Sequence, residues 1–187
     1  MLTEIQNILK SKATPETIAS HNKFLPDNNE KIYGVKMPVI NELAGKYKAG
    51  GFDLVQRLWK AGALEEKVLA IKMLGKIAKK DPEKSLQLFK QFAGNINNWA
   101  VCDALGMQAL KPLVNSHQEE IFRLAKVYNR AKDPWQRRLS LVMVEWYTRK
   151  KELHPRIKQL VKALENDEEY YVKKAIVWIN RNFEKKK

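Results

Sequence analysis

The 187-residue chain has a single cysteine, Cys102, which excludes an internal disulfide framework. Its three histidines, His21, His117 and His154, are too scattered to form a zinc motif with it, so no metal site and no cofactor is expected. A reducing, cytoplasmic compartment fits this cysteine usage, with association to the nucleoid if the source is prokaryotic. Long apolar runs are missing too. Stretches such as Leu141 to Val144 and Ala175 to Ile179 fall far short of the ~20 residues that span a bilayer, and no membrane partner is expected. The start, MLTEIQNILKSKATPETIAS, lacks the basic opening and apolar core of a secretory signal. Negative charge is scarce: 21 Asp and Glu face 35 Lys and Arg, a formal net charge of +14 that calls for a polyanionic partner. Cutting after Gly94 leaves net charges of +6 and +8, so the basicity belongs to the body of the chain. The last residues, Lys185 to Lys187, read as a frayed end.

Glycine and proline are sparse, eight and seven, and three of the prolines follow a residue able to cap a helix. Thr14-Pro15-Glu16, Asp81-Pro82-Glu83 and Asp133-Pro134-Trp135 each place a cap oxygen before a proline that has no N–H to leave unpaired in the first turn. Ser116-His117-Gln118-Glu119 has the spacing of a capping box. Gly50-Gly51 reads as a helix-ending turn, since no Gly-x-x-x-x-Gly-Lys run accompanies it. With no alternating strand and no Asn-Gly hairpin, the fold class is all-α.

Aromatic residues recur at Trp99, Trp135 and Tyr171, 36 residues apart, and the segment from Glu65 to Ile71 fits one period earlier. A unit of that length made of two helices matches HEAT-like helical hairpins stacked into a curved solenoid, with residues 1–187 forming a single repeat domain. An irregular helical bundle is the alternative.

Placing side chains at about 100° per residue sorts each helix into faces. After Pro134, the residues Trp135, Leu139, Val142, Met143 and Trp146 form a core stripe with Arg138 beside it. After Asn98, the core stripe is Val101, Ala104 and Leu105, while Trp99, Asp103, Gly106 and Leu110 fall on the other side. In the last helix Val172, Ile176, Ile179 and Phe183 face the core, while Trp178 lies off it with Tyr171, Lys174 and Arg181. Aromatics interleaved with cations suit nucleic acid, because cations neutralise phosphates and rings contact sugars or bases. The tryptophans could equally pack against neighbouring repeats. Asp103 is an acid on the partner-facing side of a basic protein. It pairs with an arginine such as Arg138 or faces a developing positive charge. Cys102 beside it reads as a small buried thiol.

These residues resemble the AlkD-type alkylpurine DNA glycosylases, built from HEAT-like repeats. The likeness runs from Tyr33-Gly34-Val35-Lys36-Met37-Pro38 to Trp178-Ile179-Asn180-Arg181. Trp99-Ala100-Val101-Cys102-Asp103 resembles the family's Trp-x-x-x-Asp segment, and Trp135-Gln136-Arg137-Arg138 its Trp-x-x-Arg segment. The run from Tyr170 to Trp178 resembles its aromatic-aromatic-x-x-Lys-Ala-Ile-x-Trp helix. The resemblance implies that Trp99, Asp103, Arg138 and Trp178 line a groove at the lesion: tryptophans on the sugar and backbone, Asp103 in the chemistry, Arg138 supporting the DNA backbone. Lys174, Arg181 and Lys36 are expected as further backbone contacts. The chain departs from its longer relatives by ending soon after the Trp178 helix, by carrying Lys36 where they have glutamine, and in the segment 24–30.

The resemblance therefore implies a monomeric, monofunctional glycosylase that releases cationic alkylpurines of the N3-methyladenine and N7-methylguanine type from double-stranded DNA, without a base-recognition pocket. No lysine is singled out for Schiff-base chemistry. A non-catalytic DNA-binding module needs the charge and the aromatics but not Asp103. A protein-binding solenoid would carry apolar anchors in its groove and bind with less dependence on salt.

Overall fold

The computed structural model describes residues 1–25 and 30–184. Lys185 to Lys187, and most of the segment 24–30, lie outside the described residues. The fold is all-α, with no strand among the described residues. The helices are α1 (Leu2–Ser11), α2 (Pro15–Phe24), α3 (Met37–Lys46), α4 (Gly51–Ala61), α5 (Leu64–Ile77), α6 (Pro82–Ala93), α7 (Trp99–Ala104), α8 (Gln118–Asn129), α9 (Pro134–Val142), α10 (His154–Ala163) and α11 (Tyr170–Glu184). The chain forms two compact units, Met1–Phe92 and Ala93–Lys187.

The three proline-marked starts are helix starts. Thr14 Oγ1 accepts from the Thr17 N–H at 3.3 Å, Asp81 Oδ1 from Lys84 at 2.9 Å and Asp133 Oδ1 from Trp135 at 2.9 Å. Each satisfies an amide that the first turn leaves without a helical partner. The expected capping box at Ser116 does not form. Helix α8 starts one residue later, with His117 as its N-cap, Ser116 Oγ bonds the His117 ring instead, and Glu119 is drawn outward to Arg156. Gly50-Gly51 ends the 3₁₀ helix Lys48–Gly50, with Gly51 as its C-cap at φ +63°, and opens α4 at the same point.

In the first unit, α5 packs on α3 and α4 and is buried over most of its length. Leu54, Val55, Leu58 and Trp59 of α4 are buried. Each such side chain contributes about 2 kcal/mol through burial. Trp59 stacks on Phe92 with centroids 4.0 Å apart. Two consecutive acids in the first turn of α5 are also buried. Glu65 accepts the N–H groups of Tyr33, Gly34 and Val35 at 3.0, 2.7 and 3.1 Å. Glu66 accepts from the Ala63 N–H at 2.9 Å, the Tyr33 hydroxyl at 3.1 Å and Gln6 Nε2 at 2.9 Å. Burial, and then the Glu66 charge, push the Tyr33 phenol up to about 12. The wrap around Glu65 needs glycine at position 34: φ is +83°, and a Cβ there would stand 2.3 Å from Ile18 Cγ1.

In the second unit, α7, α9 and α11 are neighbours in that order, and α8 and α10 pack against α9. Trp99, Trp135 and Tyr171 all stand in first turns, of α7, α9 and α11, so the 36-residue spacing marks equivalent helices. Three details of the expected faces differ. Helix α7 ends at Ala104 and continues as a π turn, Leu105–Ala109, which holds more residues per turn and rotates Gly106 and Leu110 into the core. Gly106 lies so close to α9 that a Cβ would meet Val142 Cγ1 at 2.6 Å. Helix α9 ends at Val142, and Trp146 sits in a separate 3₁₀ turn with its indole N–H bonded to the Met107 carbonyl at 3.1 Å. On α11 the buried stripe is Val172, Ala175, Ile179 and Asn182, while Ile176 and Phe183 are only half-buried. Asn182 is admitted because its Nδ2 donates to the buried Glu145 at 3.2 Å.

Candidate active site

The equivalence of α7, α9 and α11 brings functional side chains together. Asp103, Arg138 and Lys174 are each the fifth residue of their helix, and all three line one open cleft of about 330 Å³. Trp99 and Tyr170, the first residues of α7 and α11, stand one turn before them on the same stripe. Trp178 and Arg181 extend the α11 wall, and Tyr171 completes the lining. Asn98 sets the start of α7, its Oδ1 accepting from the Val101 N–H at 2.9 Å.

Asp103 is held in a bidentate pair. Arg138 Nε donates to Oδ1 at 2.9 Å and Nη2 donates to Oδ2 at 2.8 Å. The third guanidinium nitrogen, Nη1, donates to the Tyr171 carbonyl at 2.6 Å. Arg138 is thus buried and spanned between α7 and α11, while the Asp103 side chain stays 35% exposed on its cleft side. Burial pushes the Asp103 carboxyl above its ordinary range although the guanidinium opposes that rise. Arg138 remains charged throughout.

A second set of contacts backs this pair. The Trp135 ring packs on Tyr171 with centroids 5.0 Å apart, and Tyr170 meets Tyr171 edge-on at 5.1 Å. The Cys102 thiol donates to the Trp135 carbonyl at 3.6 Å. Contacts therefore run from Asp103 through Arg138, Tyr171 and Trp135 to Cys102, the residue beside Asp103. Burial and the Asp103 charge push the Cys102 thiol well up, which removes its nucleophilic form.

Of the residues expected from sequence, Trp99, Asp103, Arg138, Lys174, Trp178 and Arg181 share the cleft. Lys36 belongs to the other unit, where it is exposed at the start of α3. Tyr170 was not singled out by sequence reasoning, yet it is 61% exposed in the cleft with the Lys174 ammonium 5.2 Å from its ring centroid. Its signal was available, one turn before Lys174. The part of the Tyr171 carbonyl had no sequence signal, because any residue supplies one. Trp135, expected in the core stripe, is half-buried and serves as the buttress of Tyr171.

The family model described as "DNA alkylation repair enzyme" matches residues 5–187. The chain belongs to the DNA alkylation repair enzyme family. No curated protein matches it. Family membership gives it a role in DNA repair, with DNA as its partner. The cleft combines cations, aromatic ring faces and one carboxylate. Among the described residues no helix is long and apolar enough to cross a membrane, and no group of three or more His, Cys, Asp and Glu side chains could hold a metal ion.

Proposed function

We propose that the protein is a monofunctional DNA glycosylase that hydrolyses the N-glycosidic bond of cationic alkylated purines, of the N3-methyladenine and N7-methylguanine type, in duplex DNA. The observation that carries this reading is Asp103: a carboxylate fixed by a bidentate arginine, with one side open to a basic and aromatic cleft.

Such a lesion already bears positive charge. When the bond from C1′ to the base nitrogen breaks, its electron pair leaves with the base, which departs neutral and needs little protonation. Positive charge develops on the sugar instead. A carboxylate held near that sugar stabilises the oxocarbenium-like transition state and orients the water that adds at C1′. Asp103 has this role, Trp99 and Trp178 present their rings to the sugar, and Lys174, Arg181 and Lys36 contact the backbone. Arg138 supports the site chiefly by holding Asp103, since three of its nitrogens are already engaged within the protein. The charge acts on the sugar, so a pocket shaped around the base is not required.

The bidentate pair also favours a second reading, in which Asp103 and Arg138 only tie α7 to α9 and the protein binds DNA without chemistry. Incubation with duplex DNA carrying N7-methylguanine decides between them. Free base above the spontaneous rate is expected from the native protein and is lost in Asp103→Asn, while binding to an abasic duplex stays within about tenfold. Full activity in Asp103→Asn removes Asp103 from the mechanism. Trapping of a covalent complex by borohydride would contradict the monofunctional assignment.

A further inference from the structure

Helix α5 in the Met1–Phe92 unit carries a charged window that the cleft does not explain. Ten of its fourteen residues are buried, and those that reach the surface are Lys67, Lys72, Gly75 and Lys76. Lys67 is taken by Glu30. The other three stand at i, i+3 and i+4, one surface of the helix, with no side chain on Gly75 to separate the two lysines. Neither Lys72 nor Lys76 makes an ion pair with a described residue. The acids of α5 are no help, because Glu65 and Glu66 are turned inward onto Tyr33 to Val35, Ala63 and Gln6.

Two like charges one turn apart repel, and Lys72 is half-buried besides. Burial, and then the Lys76 charge, bring its ammonium down from the ordinary lysine value. A lysine in the last turn is favoured by the helix dipole, which accounts for Lys76. It does not account for a half-buried cation one turn earlier.

We infer that Lys72 and Lys76, bridged by the bare backbone at Gly75, bind a phosphodiester of the DNA backbone. The duplex supplies the counter-charge that the chain withholds. This inference rests on DNA as the partner and not on the glycosylase chemistry, so the two can fail separately.

The test is fluorescence anisotropy with a labelled duplex containing a stable abasic analogue, titrated between 50 and 200 mM salt. Lys72→Gln/Lys76→Gln keeps the aliphatic stems and removes the charges. It is expected to weaken binding by about tenfold at the lower salt and to reduce the slope of log affinity against log salt by about 1. Lys10→Ala/Lys12→Ala removes the same charge from an exposed part of the same unit and should change both quantities much less. An unchanged slope in the glutamine variant, or equal losses in the two variants, overturns the inference by leaving only diffuse charge. Binding of inorganic phosphate that is lost in the glutamine variant while duplex affinity and its salt slope stay unchanged would also overturn it by reassigning the pair to free phosphate. If the native protein binds the duplex but releases no base, the glycosylase reading falls and this site stands or falls by its slope. If the native protein binds no duplex, both fall.

Discussion

Two acids, Glu65 in the first turn of α5 and Asp103 in α7, show how the company a carboxylate keeps decides its use. Glu65 is 3% exposed and its oxygens accept three backbone N–H groups, so it is spent inside the fold. Asp103 is held by one guanidinium and keeps a side open to the cleft. Backbone amides, with the His21 ring 3.7 Å from Oε1, surround the Glu65 carboxylate on the inside of the fold. A side-chain partner fixes the orientation and leaves lone pairs facing outward.

The comparison breaks most severely at Glu65. Glu65→Ala leaves three buried amides without an acceptor and should cost about 4 kcal/mol, read as a lower midpoint in urea denaturation. Asp103→Asn leaves the buried Arg138 with a neutral acceptor and should lower that midpoint less than Glu65→Ala does, yet lower single-turnover base release by about 10²- to 10³-fold, the scale of one preorganised electrostatic group. A midpoint shift in Asp103→Asn as large as that of Glu65→Ala would mean that the two acids do the same work.

The pH profile sharpens the difference. The base-release rate should fall as pH is lowered through the Asp103 value, which lies above the ordinary 3.8 because burial raises it, and Asp103→Asn should have no such limb. Stability moves the other way. In the window between 3.8 and the raised value the folded state binds the proton more tightly than the unfolded chain, so the Asp103 contribution to stability grows as pH falls and is lost as pH rises. Denaturation midpoints of the native protein and of Asp103→Asn across that window check the sign.

Smaller effects test the ring of contacts behind Asp103. Trp135→Ala removes the buttress of Tyr171 and should lower the turnover rate by about tenfold, about 1.4 kcal/mol, with little change in KM, while Trp135→Phe should retain most of it. Cys102→Ser replaces a long thiol contact in a fully buried position. It should cost about 1 kcal/mol in thermal or urea unfolding and leave base release within about threefold.

What sequence reveals here follows from how local each signal is. The caps at Thr14, Asp81 and Asp133 are readable because cap and proline are adjacent, and the faces holding Trp99, Asp103 and Trp178 because those helices keep a regular turn up to each residue. The period fails where the helix does: the π turn after Ala104 rotates Gly106 and Leu110 inward, and the break after Val142 detaches Trp146 from its stripe. The Ser116 box fails through competition, since Arg156 takes the Glu119 carboxylate from a distant helix. Asn182 in a buried stripe, and the Tyr171 carbonyl on Arg138, depend on partners 37 and 33 residues away. Neither is written in local pattern.

The shared fifth position of α7, α9 and α11 makes the cleft a composite of interchangeable parts, with acid, clamp and surface cation each delivered by a separate helix from the same slot. A designer could therefore recast one function at a time. On the proposed function, replacing the slot on α11 would alter the grip on the polymer, replacing the slot on α9 would loosen the acid, and replacing the slot on α7 would remove the chemistry.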